Sequence, residues 1–290
     1  MKKYLILFPV YNDWTSLWKL SKEINEQVKD LDARFSFLFI NDASTEKKPD
    51  FDLNLEKIDS VKIINIKINQ LSGRCIATGL KYIYENEEFD YVIVMDSDGE
   101  DKPENIIDIY NKNKHFKDQT IVVERLKRNE NIFYKFLYKI HKMNTALFTG
   151  NLIKFGNFVC LPKDHVYKLI QEQNLWNSFS ATISKAIKDK KFIKADRGTR
   201  YYGPSKTSYF NLVHHSFTIM SVFSRVVFFR TFVISLLYLF FIYDNILVLN
   251  SFPLIILLVF VIIIFLVSKR ANIKELNNSL ENIKNLEILK

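Results

Sequence analysis

Glycine and proline are scarce in this chain, at 7 and 6 of 290 residues. That scarcity excludes collagen-like and Gly/Pro-rich low-complexity sequences. Neither G-x-G-x-x-G nor G-x-x-x-x-G-K-[ST] occurs, which removes the Rossmann dinucleotide fingerprint and the P-loop. H-E-x-x-H, paired-cysteine and nucleophile-elbow patterns are missing too. The 2 cysteines, Cys75 and Cys160, form neither a bridge framework nor a zinc-ligand spacing, as expected of a reducing compartment. Met1-Lys2-Lys3 runs directly into a strand-like segment, so no signal peptide is expected.

Charge is also missing where it matters. Between residues 231 and 268 the single charged side chain is Asp244. That block is too long for one membrane span of about 20 residues and suits two. The break is expected at Asp244-Asn245, or slightly later between Asn250 and Pro253. Arg225 and Arg230 precede the block, Lys269-Arg270 follow it, and the connecting loop has no Lys or Arg. The positive-inside rule then puts both flanks in the cytoplasm. The apolar run Leu254–Val267 leaves no polar face for packing as a buried hairpin in a soluble core.

What is present ahead of that block reads as alternating strands and helices. Tyr4–Pro9, Phe35–Ile40, Val61–Ile66 and Tyr91–Met95 are apolar, β-branched and aromatic runs, while 15–29 and Ile76–Tyr84 have helical spacing. Fully apolar strands alternating with helices predict an α/β domain with a mostly parallel sheet covered on both faces. Ligands in such sheets gather beyond the carboxyl ends of the strands. Polar clusters stand at three of those ends: Tyr11-Asn12-Asp13, Asn41-Asp42-Ala43-Ser44 and Asp96-Ser97-Asp98.

The third cluster is the most chemically loaded. Asp96, Asp98, Glu100 and Asp101 put four carboxylates within six residues, and they repel one another unless a cation or solvent relieves them. Two carboxylates in a D-x-D spacing can hold a hard divalent cation together with substrate phosphates. The plain alternative is a solvated acidic turn ahead of a helix beginning near Pro103.

Taken in order, these segments resemble the membrane-attached members of glycosyltransferase family 2, inverting enzymes of GT-A fold, and among them the dolichol- or polyprenyl-phosphate sugar transferase branch. Phe8-Pro9-Val10-Tyr11-Asn12-Asp13 is similar to the family's P-V-Y-N-E, and Asn41-Asp42-Ala43-Ser44 to its D-D-x-S type. The run 69–80 is similar to N-L-G-H-Q-R-A-I-A-I-G-L, and 95–103 to D-A-D-x-Q-D-x-P. Gly156-Asn157-Phe158 is similar to G-D-F, and 197–206 to R-x-x-R-x-x-G-x-S-K. The ordered series covers residues 4 to about 210.

The resemblance implies a nucleotide-sugar site of Pro9, Tyr11, Asp13, Asp42, Ser44, Arg74 and Asp96, with Asp42 at the base. It implies a cation, Mg²⁺ or Mn²⁺, on Asp96 and Asp98, and catalytic candidates Asp98, Glu100 and Asp101. Several roles stay open on the residues alone. Asp42 and Ser44 also suit ordinary turns, Asp13 also suits a helix N-cap, and Arg74 either reaches the diphosphate or decorates a helix start. Glu100, where many relatives carry Gln, either adds a ligand or perturbs its neighbours. Leu71 stands where glycine is common, and Asn157 where many relatives have Asp, which an amide cannot replace as a base.

Basic residues concentrate in two segments. Residues 125–142 hold six Lys or Arg against one Glu, and 197–230 hold five and no acid. The first carries an aromatic stripe, Ile132, Phe133, Phe136, Leu137 and Ile140, and reads as an interfacial amphipathic helix. The second carries Arg197, Arg200, Ser205 and Lys206, which with Arg125 are the candidates for an acceptor phosphate. The expected organisation is a catalytic domain over 1–205, an amphipathic juxtamembrane segment over 206–230, two spans over 231–268 and a cytoplasmic helical tail over 269–290. A heptad-like seam in the tail (Ile273, Leu276, Leu280, Ile283) is too short to assert a coiled coil, and it offers either a route to a homo-oligomer or a face that lies against the head.

The expectation is therefore a multi-pass protein of a bacterial-type inner membrane with a cytoplasmic head. It would move sugar from a nucleotide sugar to a lipid-linked acceptor, polyprenyl phosphate first. The alternatives are transfer to a hydroxyl of a lipid-linked glycan, or a non-catalytic scaffold that keeps the fold. Nucleic acid is not an expected partner, because the basic residues flank apolar spans without an interleaved stacking pattern.

Overall fold

The computed structural model describes residues 1–51, 54–125, 132–203, 209–245 and 247–290. Its centre is an eight-stranded sheet in the order β7-β5-β6-β4-β1-β2-β3-β8. β1 (Lys2–Val10), β2 (Ala33–Asn41), β3 (Ile58–Ile66) and β4 (Tyr91–Val94) run parallel. β6 (Phe155–Pro162) is antiparallel to both β4 and β5 (Thr120–Arg125), and β7 (Lys190–Ala195) runs parallel to β5. All four predicted strands form, each within a few residues of its expected ends.

Both faces are covered, which is why the central strands lack polar alternation. In β2, Phe35, Phe37 and Phe39 point to one face and Leu38 and Ile40 to the other. The first face packs under α1 (Trp14–Gln27) and α3 (Asn105–His115), through Leu17, Leu20, Ile24, Ile106 and Ile109. The second packs under α2 (Leu71–Asn86), α5 (Lys163–Ile170) and α6 (Phe179–Ala186).

A smaller apolar cluster joins this domain to the C-terminal helices. Ala181 of α6 meets Ile219, Met220 and Val222 of α7 (Tyr209–Val222), Val227 of α8 (Ser224–Ile242) and Ile264 of α9 (Val248–Ser268). The expected juxtamembrane segment is thus helix α7, packed against α9 and α4 (Ile132–Thr149) rather than lying alone. The side chains of Ile132, Phe133, Phe136 and Leu137 lie outside the described residues, while Ile140 of α4 is exposed.

The helical pair also differs in its limits. α8 begins at Ser224, so Arg230 lies inside it, where Nη1 donates to the Leu147 carbonyl at 2.7 Å and closes the last turn of α4. A 3-10 turn at Tyr243–Asn245 makes the break, at the earlier of the two expected places. Both helices are long and apolar enough to cross a membrane. Mean hydropathy is 2.0 over Ser224–Ile242 and 3.1 in the following helix, and little of either apolar stretch is buried.

The expected helical tail is not one. α10 (Ile273–Asn277) and a 3-10 turn at Ser279–Asn282 lead into β8 (Ile283–Ile288), which pairs antiparallel with β3. The edge of β3 offers unpaired backbone groups, and a hexamer with isoleucine at both ends satisfies them better than less than three heptads of an isolated helix. Of the apolar seam, Leu276 is fully buried, with Ile273 and Ile283 packed against the same core.

Candidate active site

The polar ends of β1, β2 and β4 all fall on one edge of the sheet, because the strands are parallel and in register. At the β4 end five carboxylates meet three guanidinium groups. Arg125, at the end of β5, donates from Nη2 to Asp96 Oδ2 at 3.1 Å and to Asp101 Oδ1 at 2.9 Å. Arg200 bridges Asp98, at 3.1 Å from Nη1, and Asp13. Arg197 pairs with Glu100. Asn157 donates from Nδ2 to Asp96 Oδ1 at 2.9 Å. An aspartate in its place would put a sixth carboxylate against Asp96, so the amide is matched to this cluster.

Arg197 and Arg200 sit on a strap that follows β7 and lies along the acidic loop. The amide of Gly198 donates to the Glu100 carbonyl at 2.8 Å, and that of Tyr201 to the Asp98 carbonyl at 3.0 Å. Gly99 adopts φ +85°, and a Cβ there would come 2.4 Å from the Tyr201 ring, so both the turn and the strap need glycine. The Tyr201 hydroxyl donates to the Glu23 carboxylate on α1.

Crowding of charge shows in the proton affinities. Burial, and then Asp96, raises the pKa of Asp98. Burial, and then Asp98, pushes Glu100 up to about 7, and burial pushes Asp101 up to about 6. Burial alone would lower the Arg125 pKa, but Asp101 and Asp96 reverse this and raise it. Five carboxylates against three guanidiniums leave an excess of negative charge, which is what a divalent cation relieves. Among the described residues no three Asp, Glu, His or Cys side chains converge as an all-protein cage. A hard divalent cation needs no such cage where one or two carboxylates and substrate phosphates complete its shell, and Asp96 and Asp98 offer carboxylates of that kind.

Other candidates land differently from expectation. Asp101 is 3% exposed and accepts from the Asp96 amide at 3.2 Å, so it buttresses the loop from within. Arg125 is turned inward beneath Asp96 and Asp101, and its charge is spent there rather than offered to an acceptor phosphate. Arg74 lies 3.4 Å from Glu275 of α10 and 4.8 Å over the Trp176 ring, facing the returning tail rather than the carboxylates. Ser205 and Lys206 lie outside the described residues.

The loops after β1 and β2 are latched to each other. The Asn12 amide donates to Ser44 Oγ at 2.9 Å, and Asn12 Oδ1 accepts from the amides of Thr45 and Glu46. Asp42 is buried, and its Oδ1 accepts from the Gln70 amide at 2.7 Å, which clamps the loop ahead of α2. Burial raises its pKa against that bond. Asp42 in this arrangement ties the end of β2 to the loop ahead of α2. Asp13 makes no side-chain cap to α1 and pairs with Arg200 instead. Tyr11 is exposed at the edge and Pro9 is buried in β1.

Among the described residues other than glycine, three hold positive φ, Asn12 at 50°, Ala43 at 54° and Leu71 at 69°. All three are on this edge. Leu71, where family members commonly carry glycine, bears a left-handed conformation costing roughly 1–2 kcal/mol. Strain of this kind persists where surrounding bonds over-determine it, and it clusters at ligand sites.

Residues 5–189 match the model of Glycosyl transferase family 2. The chain belongs to that family. It is 24% identical over 205 residues to the uncharacterized glycosyltransferase YkcC of Bacillus subtilis, covering 65% of this chain and 61% of that protein. It is 21% identical over 225 residues to the undecaprenyl-phosphate 4-deoxy-4-formamido-L-arabinose transferase of Photorhabdus laumondii, covering 76% of this chain and 68% of the relative. The chain thus spans somewhat under two thirds of the first relative's length. Among solved structures, glucosyl-3-phosphoglycerate synthase of Mycobacterium tuberculosis, in complex with Mn²⁺, uridine diphosphate and phosphoglyceric acid, shares the fold. Its TM-score is 0.53 at 11% identity, over 78% of each chain. That likeness agrees with the GT-A architecture expected for the family.

The roles of several residues escaped the sequence reading. Asn12, Tyr201 and Glu23 are ordinary polar residues by type, and nothing in their spacing marks a latch. Asn65 and Glu287 approach each other only because β8 returns to the sheet, across more than two hundred residues of chain.

Proposed function

We propose that this chain is an inverting glycosyltransferase that moves a sugar from a nucleoside-diphosphate sugar to a membrane-embedded polyprenyl phosphate. The observation that carries it is the Asp96–Asp98 pair at the carboxyl edge of the sheet, ringed by Arg125, Arg197 and Arg200. The similarity to an undecaprenyl-phosphate sugar transferase supports the acceptor class. The apolar helices α8 and α9, read as a membrane hairpin with both ends on the cytoplasmic side, support the location.

A divalent cation on Asp96 and Asp98 would neutralise charge on the departing diphosphate. The protein's own residues supply the rest. Arg125, buried and doubly bonded, fixes the orientation of Asp96, and Asn157 fixes its other oxygen. The strap bearing Arg197 and Arg200 brings two guanidiniums to the same loop, where either can take an acceptor or leaving phosphate oxygen bidentately. The acceptor phosphate attacks the anomeric carbon from the face opposite the diphosphate. The new carbon–oxygen bond forms as the old one breaks, its electron pair leaves with the nucleoside diphosphate, and configuration inverts. A phosphate is already an anionic nucleophile, so Asn157 in place of a base is no obstacle.

A second reading draws on Glu100, whose pKa near 7 suits a general base for a hydroxyl acceptor. Treating the product with mild acid separates the two, since a sugar phosphodiester is cleaved and an ordinary glycoside survives. The test of the main reading is transfer of labelled sugar to polyprenyl phosphate by full-length protein. Asp98→Asn is expected to lower it on the order of 100- to 1,000-fold. Undiminished cation-dependent transfer by that variant would refute the site.

A further inference from the structure

Beyond the carboxylate cluster, the same sheet edge carries a second concavity. It measures about 530 Å³ and lies at the carboxyl ends of β2 and β3, with the returning strand β8 as its outer wall. Asn41, Ser44, Asn65, Lys67, Lys284 and Glu287 line it, and Ile66 gives it an apolar patch. This pocket shares none of its lining with the Asp96–Arg125 cluster.

Its wall is preorganised. Asn41 stands opposite Asn65, and Asn65 opposite Asn285, in one row across three strands. Asn41 Nδ2 donates to Asn65 Oδ1 at 2.7 Å, Asn65 Nδ2 donates to Glu287 Oε1 at 2.7 Å, and Lys48 pairs with Glu287. Lys284 is exposed at the rim. Ala43, one of the left-handed residues, also lines the pocket, on the loop latched to Asn12. Asn12 adjoins Asp13, which Arg200 links to Asp98, so one continuous lip runs from this pocket to the acidic loop.

The spacing is informative. β4, β1, β2 and β3 are successive neighbours, so β3 lies three strand intervals, about 14 Å, from the end of β4. An extended nucleoside diphosphate covers such a distance when its phosphates sit at Asp96 and Asp98. The wall mixes amide donors and acceptors with a carboxylate, which suits ribose hydroxyls and the hydrogen-bonding edge of a base. Glu287 on that wall disfavours a second phosphate there.

We infer that β8 builds the nucleoside end of the donor site, with Lys284 contacting the nucleoside and Glu287 positioning Asn65. The inference rests on the nucleotide-sugar reading above. It gives the chain beyond the apolar hairpin a part in donor selection.

Binding of UDP, GDP and CDP to the full-length protein in nanodiscs, by calorimetry with Mg²⁺, tests it, with magnesium pyrophosphate as a probe of the acidic loop alone. Lys284→Ala, a change at an exposed position, is expected to weaken the preferred nucleoside diphosphate roughly tenfold and leave pyrophosphate unchanged. Glu287→Gln is expected to alter the ranking of the three nucleotides, which a merely structural role would not do. Wild-type affinities in both variants overturn the inference alone, as does a parallel loss of pyrophosphate binding. Failure of the wild type to bind any of the three nucleotides overturns the transferase reading itself.

Discussion

The α/β head and the helical pair use the same residue types in opposite ways. Phe35, Phe37 and Phe39 in β2 are each at most 1% exposed, whereas Phe240 and Phe241 near the end of α8 are 85% exposed. In the head a sheet face and a helix layer close over these rings. α8 and α9 pack on each other, on α7 and on α4 over part of their surface, and the rest of the apolar surface faces outward along most of its length. Apolar composition alone therefore does not say what a residue is buried against. Topology decides whether the covering phase is protein or, on the reading proposed here, lipid.

The contrast can be broken or sharpened by substitution. The largest effects belong in the head. Phe37→Ala removes a fully enclosed ring and is expected to lower stability by about 3–5 kcal/mol in denaturant unfolding. Arg125→Ala strands Asp96 and Asp101 without their cation and should cost about 3–5 kcal/mol, with transfer lost at temperatures where the variant is still folded. A stable and active Arg125→Ala protein would show that the guanidinium is dispensable to the acidic loop.

In the helical pair the expected penalty is one of insertion. Leu258→Lys, on the outward surface of α9, should disfavour membrane integration by about 2.5–3.5 kcal/mol. Membrane fractionation reads this, and a full yield of integrated protein would count against the hairpin as a span. Smaller again is Leu71→Gly, which relieves the left-handed residue at the start of α2 and should raise stability by about 1 kcal/mol in thermal unfolding. The smallest is Phe240→Ala, expected within about 0.5 kcal/mol because nothing in the protein encloses the ring. A loss there as large as that of Phe37→Ala would mean that α8 is covered by another protein surface.

Much of the head was legible because its signals are local. β-branched and aromatic runs gave strands at the expected places, and the polar residues after them marked the functional edge. Asp96 and Asp98 follow β4 as the D-x-D spacing put them, with Asp98 linked to Asp13 through Arg200. For Arg125, Arg74, Asp101 and Asp42 the chemical type was legible in the sequence and the intramolecular partner was not. Each is a charged side chain whose role depends on which opposite charge or amide reaches it first, and those partners come from the loop after β4, α10, β5 and the loop ahead of α2. The tail was misread for a related reason. Ile273, Leu276, Leu280 and Ile283 satisfy a helical period, but a vacant strand edge on β3 was a stronger demand than a short seam.

The amino-acid sequence by itself determined the alternation of strands and helices, the acidic loop after β4 and the long uncharged block, because each depends on neighbours within a few residues. Only the tertiary structure decided that the chain beyond that block returns to the sheet as β8, that Arg125 turns inward, and that Arg200 spans Asp13 and Asp98. Those outcomes depend on electrostatic and hydrogen-bond pairings between residues far apart in the chain. Such pairings exist only once the sheet has set its register.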